Sequence, residues 1–175
     1  MSGARNTDTL DGTWRGERGR AQLPLLDRLT DAEPDKPADP PMSASAALAA
    51  LRASVRADLE ALLNTRRRWR SWDPALTQLD QSPIGWGLPD FAGGAFNDPR
   101  RREALRREVE TCIRRFEPRF ASVTVTLEGA AEELSATLRL RVDALLHADP
   151  APEPISFRTL LDANTTDFTV FAPEG

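Results

Sequence analysis

The spacing of apolar residues changes at Pro118, and this change constrains the fold more than any other feature of the sequence. Before it, five apolar residues recur at helical intervals: Leu105, Val109, Cys112, Ile113 and Phe116. After it, apolar residues alternate with polar ones, as in a strand with one buried face: Val123, Val125 and Leu127. The residue before a proline is disfavoured in helical conformation, so the helix is predicted to end at this point.

A second helical pattern covers residues 43–67. Six apolar residues form one stripe along it: Leu48, Leu51, Val55, Leu59, Leu62 and Leu63. Ser43 or Ser45 is suited to cap its start. The later helix has Asp98 as its expected N-cap, with Pro99 at the first helical position, where a missing N–H costs nothing. Two amphipathic helices are therefore predicted.

Strand patterns fill the rest of the domain. The turn sequence EGAAEE at 128–133 separates the first strand from a second one, whose apolar positions alternate with polar residues: Leu134, Ala136, Leu138, Leu140 and Val142. Two shorter extended segments are predicted at 155–158 and 167–171. This order of elements predicts an α+β fold, in which two amphipathic helices pack on a small antiparallel sheet, with a largely extended N-terminal arm.

The first 42 residues differ in composition from the rest of the chain. They are mostly polar, and the acidic segment DAEPDKPADPP contains four prolines, which indicates a stiff, solvated linker. The apolar cluster LPLLDRL at 23–29 interrupts this region and is interpreted as a short docking segment. We expect an N-terminal arm at 1–42 and a folded domain at 43–175.

The overall composition excludes several classes of protein. A net charge of -4 and a pI near 5.1 argue against nucleic-acid binding, which favours strongly basic domains. The single cysteine leaves no internal disulfide to form. No apolar run approaches the roughly 20 residues of a membrane span, and the first residues lack the apolar core of a secretory signal. These features favour the cytoplasm.

Few residues suggest chemistry of their own. His147 lies in a polar, proline-rich loop and Cys112 lies on an apolar helix face, so no metal site, cofactor or nucleophile is predicted. The segment RRRWR at 66–70 fits either phosphate contacts or a protein interface, and the acidic total favours the interface. In PIGWGLPDF at 83–91, Trp86 lies between two glycines, and the segment is interpreted as a loop that plugs the core.

Glu117 and Arg119 place two opposite charges at the helix-to-strand corner. A glycosidase-like Glu117 would need a second carboxylate at a defined distance. Several acids are candidates and no spacing selects one of them: Glu60, Asp90 and Glu128. Pairing with Arg119 would also keep Glu117 ionised, which is the wrong state for a general acid. Two alternatives remain, an ion pair that fixes the corner and a bidentate contact to a partner.

Several motifs together resemble one family. LPLLDRL at 23–29, SVRADLEALLNTRRR at 54–68, IGWGLPD at 84–90 and Glu117-Pro118-Arg119 occur in the order found in TssE, the baseplate wedge subunit of bacterial type VI secretion systems. TssE is similar to the lysozyme-like wedge protein of contractile phage tails. The resemblance covers most of the chain from Leu23 to Phe171. It implies a structural wedge component with no enzymatic activity, in a cytoplasmic baseplate docked at the inner membrane.

The resemblance also implies partners. These are the baseplate proteins TssF, TssG and TssK and the sheath proteins TssB and TssC, with no nucleic acid and no direct membrane insertion. By match to the family motif, Glu117, Pro118 and Arg119 are expected to contact the helical bundle at the wedge core. Phe168 and Val170, on the last strand, are expected to lie at a sheet edge where sheath subunits add a strand; the alternative is an ordinary edge that its neighbours protect. The lysozyme-like name leaves a peptidoglycan-cleaving hydrolase as the alternative.

Overall fold

The computed structural model describes residues 29, 30, 35, 43–67, 72, 73, 75–91, 98–129, 137–148, 151–162 and 164–172. Nearly all of the predicted arm at 1–42, most of its docking segment included, lies outside the described residues, as do residues 68–70 of the arginine-rich segment. The described part has the predicted α+β architecture, with two α-helices and a four-stranded antiparallel sheet.

Both helices begin at the capping residues that the sequence predicts. Helix α1 spans Ala44–Asn64, and the Ser43 hydroxyl accepts the Ala46 N–H at 3.2 Å. Helix α2 spans Pro99–Phe116, and the Asp98 carboxylate accepts the Arg100 N–H at 2.8 Å. Since these caps satisfy backbone donors that the helices leave free, they fix where each helix starts.

The sheet is a meander with strand order β1-β2-β3-β4. Its strands are β1 Phe120–Glu128, β2 Thr137–Leu146, β3 Glu153–Asp162 and β4 Phe168–Phe171. The third strand is longer than the predicted segment 155–158, because all ten of its residues pair with β2. Pairing across the sheet is a tertiary effect that local alternation does not reveal.

The two helices cover one face of the sheet. Buried residues alternate along all four strands, and they form one core with the apolar stripes of α1 and α2. Helix α1 packs along β4 and α2 packs along β1, so each helix lies over one outer edge of the sheet. This placement brings polar side chains of the helices within reach of both edges.

The described residues between the helices include two short 3₁₀ turns, Thr77–Gln81 and Pro83–Gly85. The residue that plugs the core is Leu88, which is fully buried, whereas Trp86 lies at the surface. Leu88 is held by backbone bonds to the end of α1, to Thr65 (2.9 Å) and Arg67 (2.7 Å). Gly87 has φ 93°, and a Cβ there would lie 2.3 Å from the Thr65 carbonyl oxygen, so only glycine fits.

Candidate functional site

The backbone of the corner between α2 and β1 is fixed by hydrogen bonds on both sides of Pro118. The Glu117 N–H ends the helix by donating to the Ile113 carbonyl at 2.9 Å. The Glu117 carbonyl accepts the Phe120 N–H at 3.2 Å, which closes the turn. The Arg119 carbonyl accepts the His147 N–H at 2.8 Å, which ties the turn to the end of β2. The corner is therefore held before any partner arrives.

Glu117 and Arg119 form a bidentate ion pair at this corner. The Arg119 Nε donates to the Glu117 Oε1 at 2.6 Å, and Nη2 of the same guanidinium donates to Oε2. The Arg119 backbone N–H also donates to Glu117 Oε1, at 3.2 Å. Bonding to the carboxylate of Glu117 raises the pKa of Arg119, although partial burial acts against it. Both charges are thus satisfied within the chain.

A third residue, Asp58 on α1, completes the cluster. Its Oδ2 accepts from Nη2 of Arg119 at 2.6 Å, so Arg119 binds carboxylates from two elements. The sequence gives no sign of this contact, because Asp58 is an ordinary polar-face residue of a helix. Only the packing of α1 against the corner brings the two together.

The three motif residues and Asp58 differ in what they offer to a partner. The Glu117 side chain is 5% exposed, whereas that of Arg119 is 26% exposed and that of Asp58 is 53% exposed. Pro118, at the tip of the turn, is exposed. Glu117 is therefore placed to orient Arg119, and the accessible surface consists of Pro118, Arg119 and Asp58.

The two carboxylates that the corner brings together, those of Glu117 and Asp58, are both bonded to Arg119 and do not form a free pair for hydrolysis. Both carboxylate oxygens of Glu117 accept from Arg119. Of the candidate partner acids, Glu60 lies on the β4 side of the sheet, where it binds Arg56 and the Val170 N–H. A general acid must reach a substrate oxygen, and the buried Glu117 carboxylate faces a guanidinium instead.

An aromatic pair lies beside the charged corner. Trp86 contacts Phe116, the last residue of α2, edge-on with ring centroids 5.2 Å apart. The loop that carries Trp86 is held to the same helix by the Cys112 thiol, which lies 3.5 Å from the Gly87 carbonyl. The surface next to Glu117 is thus partly aromatic, which sequence reasoning did not anticipate.

The other predicted site residues, Phe168 and Val170, have their side chains in the core. Strand β4 forms one edge of the sheet as expected, but α1 side chains already bind its outer backbone groups. Asn64 both accepts the Phe168 N–H and donates to the Phe168 carbonyl, each at 2.8 Å. Arg56 donates to the Val170 carbonyl at 3.2 Å, and Glu60 accepts the Val170 N–H at 3.3 Å. A partner strand could use only the backbone of these residues.

The remaining candidates show no arrangement for chemistry. Burial raises the pKa of the Cys112 thiol to about 12, so it is a poor nucleophile. Arg66 donates to the Leu63 carbonyl at 2.8 Å, and Arg67 lies 3.3 Å from Glu108, so both bind within the chain.

Among the described residues, no group of three or more His, Cys, Asp or Glu side chains is placed to hold a metal ion. No helix in that part of the chain is long and apolar enough to cross a membrane.

Comparison with protein-family models gives a match to the family described as baseplate wedge protein gp25, over residues 49–151. The matched span covers more than half of the chain, and it includes most of α1, all of α2, strands β1 and β2, and the charged corner. A search of curated proteins finds no significant match.

Proposed function

The chain belongs to the baseplate wedge protein gp25 family, and from this premise we propose that it is a structural wedge component of a type VI secretion machine. In this role it links the core of the baseplate wedge to the contractile sheath. The family match confirms the resemblance at the level of the wedge family. The particular machine, its partners and a baseplate docked at the inner membrane are parts of the proposal.

The observation that carries this proposal is the fixed geometry of the Glu117–Arg119 pair. A charged group that is already oriented loses little freedom when a partner binds, so more of the contact energy appears as affinity. Glu117 holds the guanidinium of Arg119 at a turn whose tip, Pro118, is exposed. We propose that this corner binds the TssF–TssG part of the wedge, with TssK in the same assembly.

A pull-down with TssF–TssG tests this part of the proposal. Glu117→Ala and Arg119→Ala are expected to reduce recovery of TssF–TssG, while Arg107→Ala leaves it unchanged. Arg107 is the matched control because it is an exposed arginine of α2 whose ion pair, with Glu103, lies away from the corner. Circular dichroism establishes which variants are folded. Full recovery by folded Glu117→Ala and Arg119→Ala chains would exclude the corner as the wedge contact.

For the sheath, we propose that TssB and TssC dock at the β4 edge by strand addition. Support comes from the position of β4 at the end of the strand order and from the exposed Phe171 at its last position. Edge strands present backbone groups that a foreign strand can bind. Deleting 167–175 is not a suitable test, because it would remove the buried Phe168 and Val170 from the core.

A point change at the exposed end of β4 tests sheath docking without removing core residues. Phe171→Glu places a charge beside the proposed added strand and is expected to reduce the number of sheaths assembled in a bacterium that carries the machine. Leu76→Glu is the control, since Leu76 is also an apolar, exposed residue and lies on the loop between the helices. Equal sheath numbers in the two strains would argue against β4 as the docking edge.

The hydrolase alternative is tested by a zymogram on peptidoglycan. No specific observation favours it, because the Glu117 carboxylate is bonded to Arg119 and Glu60 lies at the opposite edge of the sheet. The proposal predicts no clearing of peptidoglycan by the purified chain. Clearing that disappears in Glu117→Gln would replace the structural proposal with a catalytic one.

A further inference from the structure

Both outer edges of the described sheet carry the same Arg–Glu arrangement. At the β1 edge, Arg106 Nη1 donates to the Val125 carbonyl at 3.0 Å, and Glu110 Oε2 accepts the Val125 N–H at 3.1 Å. Arg56 and Glu60 bind the backbone carbonyl and N–H of Val170 on β4 in the same manner. In each case an arginine and a glutamate four positions later bind the carbonyl and the N–H of one edge valine.

The four-residue spacing explains how side chains of a helix can bind a sheet edge in place of a strand. Side chains four positions apart lie on the same helix face, so a guanidinium and a carboxylate can bind each other and the sheet together. The arginine supplies a donor and the glutamate an acceptor, which are the two groups that a residue of a neighbouring antiparallel strand would supply. Each Arg–Glu pair therefore occupies one residue position of an absent strand.

The two closures differ in how firmly they are held. Arg106 and Glu110 are 20% and 19% exposed, and each has a further ionic partner, Glu103 and Arg114. Arg56 and Glu60 are 38% and 37% exposed, and their bonds to Val170 are longer than the corresponding bonds at Val125. Because exposed ion pairs are screened by solvent, Arg56–Glu60 is the weaker of the two Arg–Glu pairs, although Asn64 also holds Phe168 at the β4 edge.

We propose that the Arg56–Glu60 pair is a releasable closure of the β4 edge, and that the Arg106–Glu110 pair is a permanent closure of the β1 edge. An incoming extended strand displaces Arg56 and Glu60 from Val170 and takes over their two backbone bonds, while Asn64 keeps Phe168 and β1 stays closed. Release at β4 rests on the proposed docking of sheath subunits at that edge. The closure itself does not depend on any partner.

Amide hydrogen exchange of the chain alone tests the closure. Arg56→Met with Glu60→Met removes the polar groups and keeps most of the side-chain bulk, and Asn64 still holds Phe168 in place. The Val170 amide is expected to exchange roughly tenfold faster in this double variant, the change that corresponds to the loss of one hydrogen bond. The Val125 amide is expected to keep its parent rate. An unchanged Val170 rate would show that the pair does not close the edge.

Binding to the purified TssB–TssC complex tests release. If Arg56 and Glu60 compete with the incoming strand, the double variant binds TssB–TssC several-fold more tightly than the parent chain. The matched variant Arg106→Met with Glu110→Met is expected to bind like the parent. Equal or weaker binding by the first variant would overturn release at β4. Absence of binding by every chain would overturn sheath docking as well, whereas the exchange experiment judges the closure separately.

Discussion

The Arg119 Nη2 atom lies 2.6 Å from the Asp58 Oδ2 atom, although the two residues are 61 positions apart in the chain. Through this contact Arg119 joins α1 to the corner at which α2 becomes β1. The same guanidinium holds the buried Glu117, so one cation is shared by two carboxylates. The corner therefore joins three elements, α1, α2 and β1. It also holds an ion pair of fixed geometry beside the exposed turn at Pro118.

Loss of the Arg119 guanidinium should lower the stability of the fold more than loss of the Glu117 charge, because Glu117 is the buried member of the pair. Arg119→Met leaves the Glu117 carboxylate buried without its guanidinium, which should lower the free energy of unfolding by about 3–5 kcal/mol. Glu117→Gln keeps the shape and an acceptor oxygen, and it should cost about 1–2 kcal/mol. Urea unfolding measures both, with Arg107→Met expected within about 0.5 kcal/mol of the parent. Equal costs for the first two variants would contradict this ordering.

Asp58 should matter more for the orientation of Arg119 than for stability. Since its side chain is 53% exposed, Asp58→Asn should change the free energy of unfolding by less than about 1 kcal/mol. It should still weaken binding to TssF–TssG, by less than Arg119→Met does, because Arg119 keeps Glu117 as its main support. Titration of the labelled chain with TssF–TssG measures this. An Asp58→Asn variant that loses stability but binds like the parent would assign Asp58 a purely structural role.

The β1 closure predicts a specific dependence of stability on pH. Burial acts to raise the pKa of Glu110, but the Val125 N–H, Arg106 and Arg114 outweigh it, so the pKa lies below its ordinary value of 4.5. A lowered folded-state pKa stabilises the fold above the unfolded-state pKa, and this stabilisation is lost as the pH falls through the folded-state pKa. The parent should therefore exceed Glu110→Gln in stability at pH 7, and the difference should shrink as the pH falls below 4.5. Urea midpoints across this range measure it, and a difference independent of pH would be inconsistent with an ionised Glu110 in the closure.

Two glycines with positive φ allow the cost of backbone strain to be measured apart from the cost of a steric clash. Gly129 has φ 87° and no atom within 4 Å of the position that a Cβ would take, so Gly129→Ala should cost about 1–2 kcal/mol from strain alone. Gly87→Ala adds a clash with the Thr65 carbonyl oxygen, 2.3 Å away, and should cost clearly more. Thermal unfolding of both variants gives the comparison. Equal losses would mean that the loop moves away from α1 without penalty.

The sequence predicted those features that depend on neighbouring residues. The caps at Ser43 and Asp98, the helix end before Pro118 and the alternation along β1 and, from Leu138, along β2 are local effects, and the structure confirms them. Leu134 and Ala136 of the predicted second strand lie outside the described residues. The choice of Leu88 over Trp86 as the core plug was not predictable, since either residue of that loop is large and apolar. It depends on how the loop pairs with the end of α1.

The charged corner was recognised from its motif, but its third member was not. Asp58 and Glu60 are two positions apart on α1, yet one binds Arg119 and the other binds the Val170 N–H. Which acid faces which element depends on the rotation of α1 over the sheet, and charge spacing in the sequence does not specify it. The closure of both sheet edges was missed for the same reason, because each closure joins residues far apart in the chain.

The affinity of purified TssF–TssG for the parent chain and for Arg119→Met tests the central claim most directly, with Arg107→Met as the control. Removing one partner of a bound charge pair typically costs about 2–5 kcal/mol, so the affinity of folded Arg119→Met should fall by roughly 30-fold or more. Arg107→Met should bind like the parent. An Arg119→Met chain that is folded and binds TssF–TssG with the parent's affinity would contradict the claim that this corner attaches the chain to the wedge.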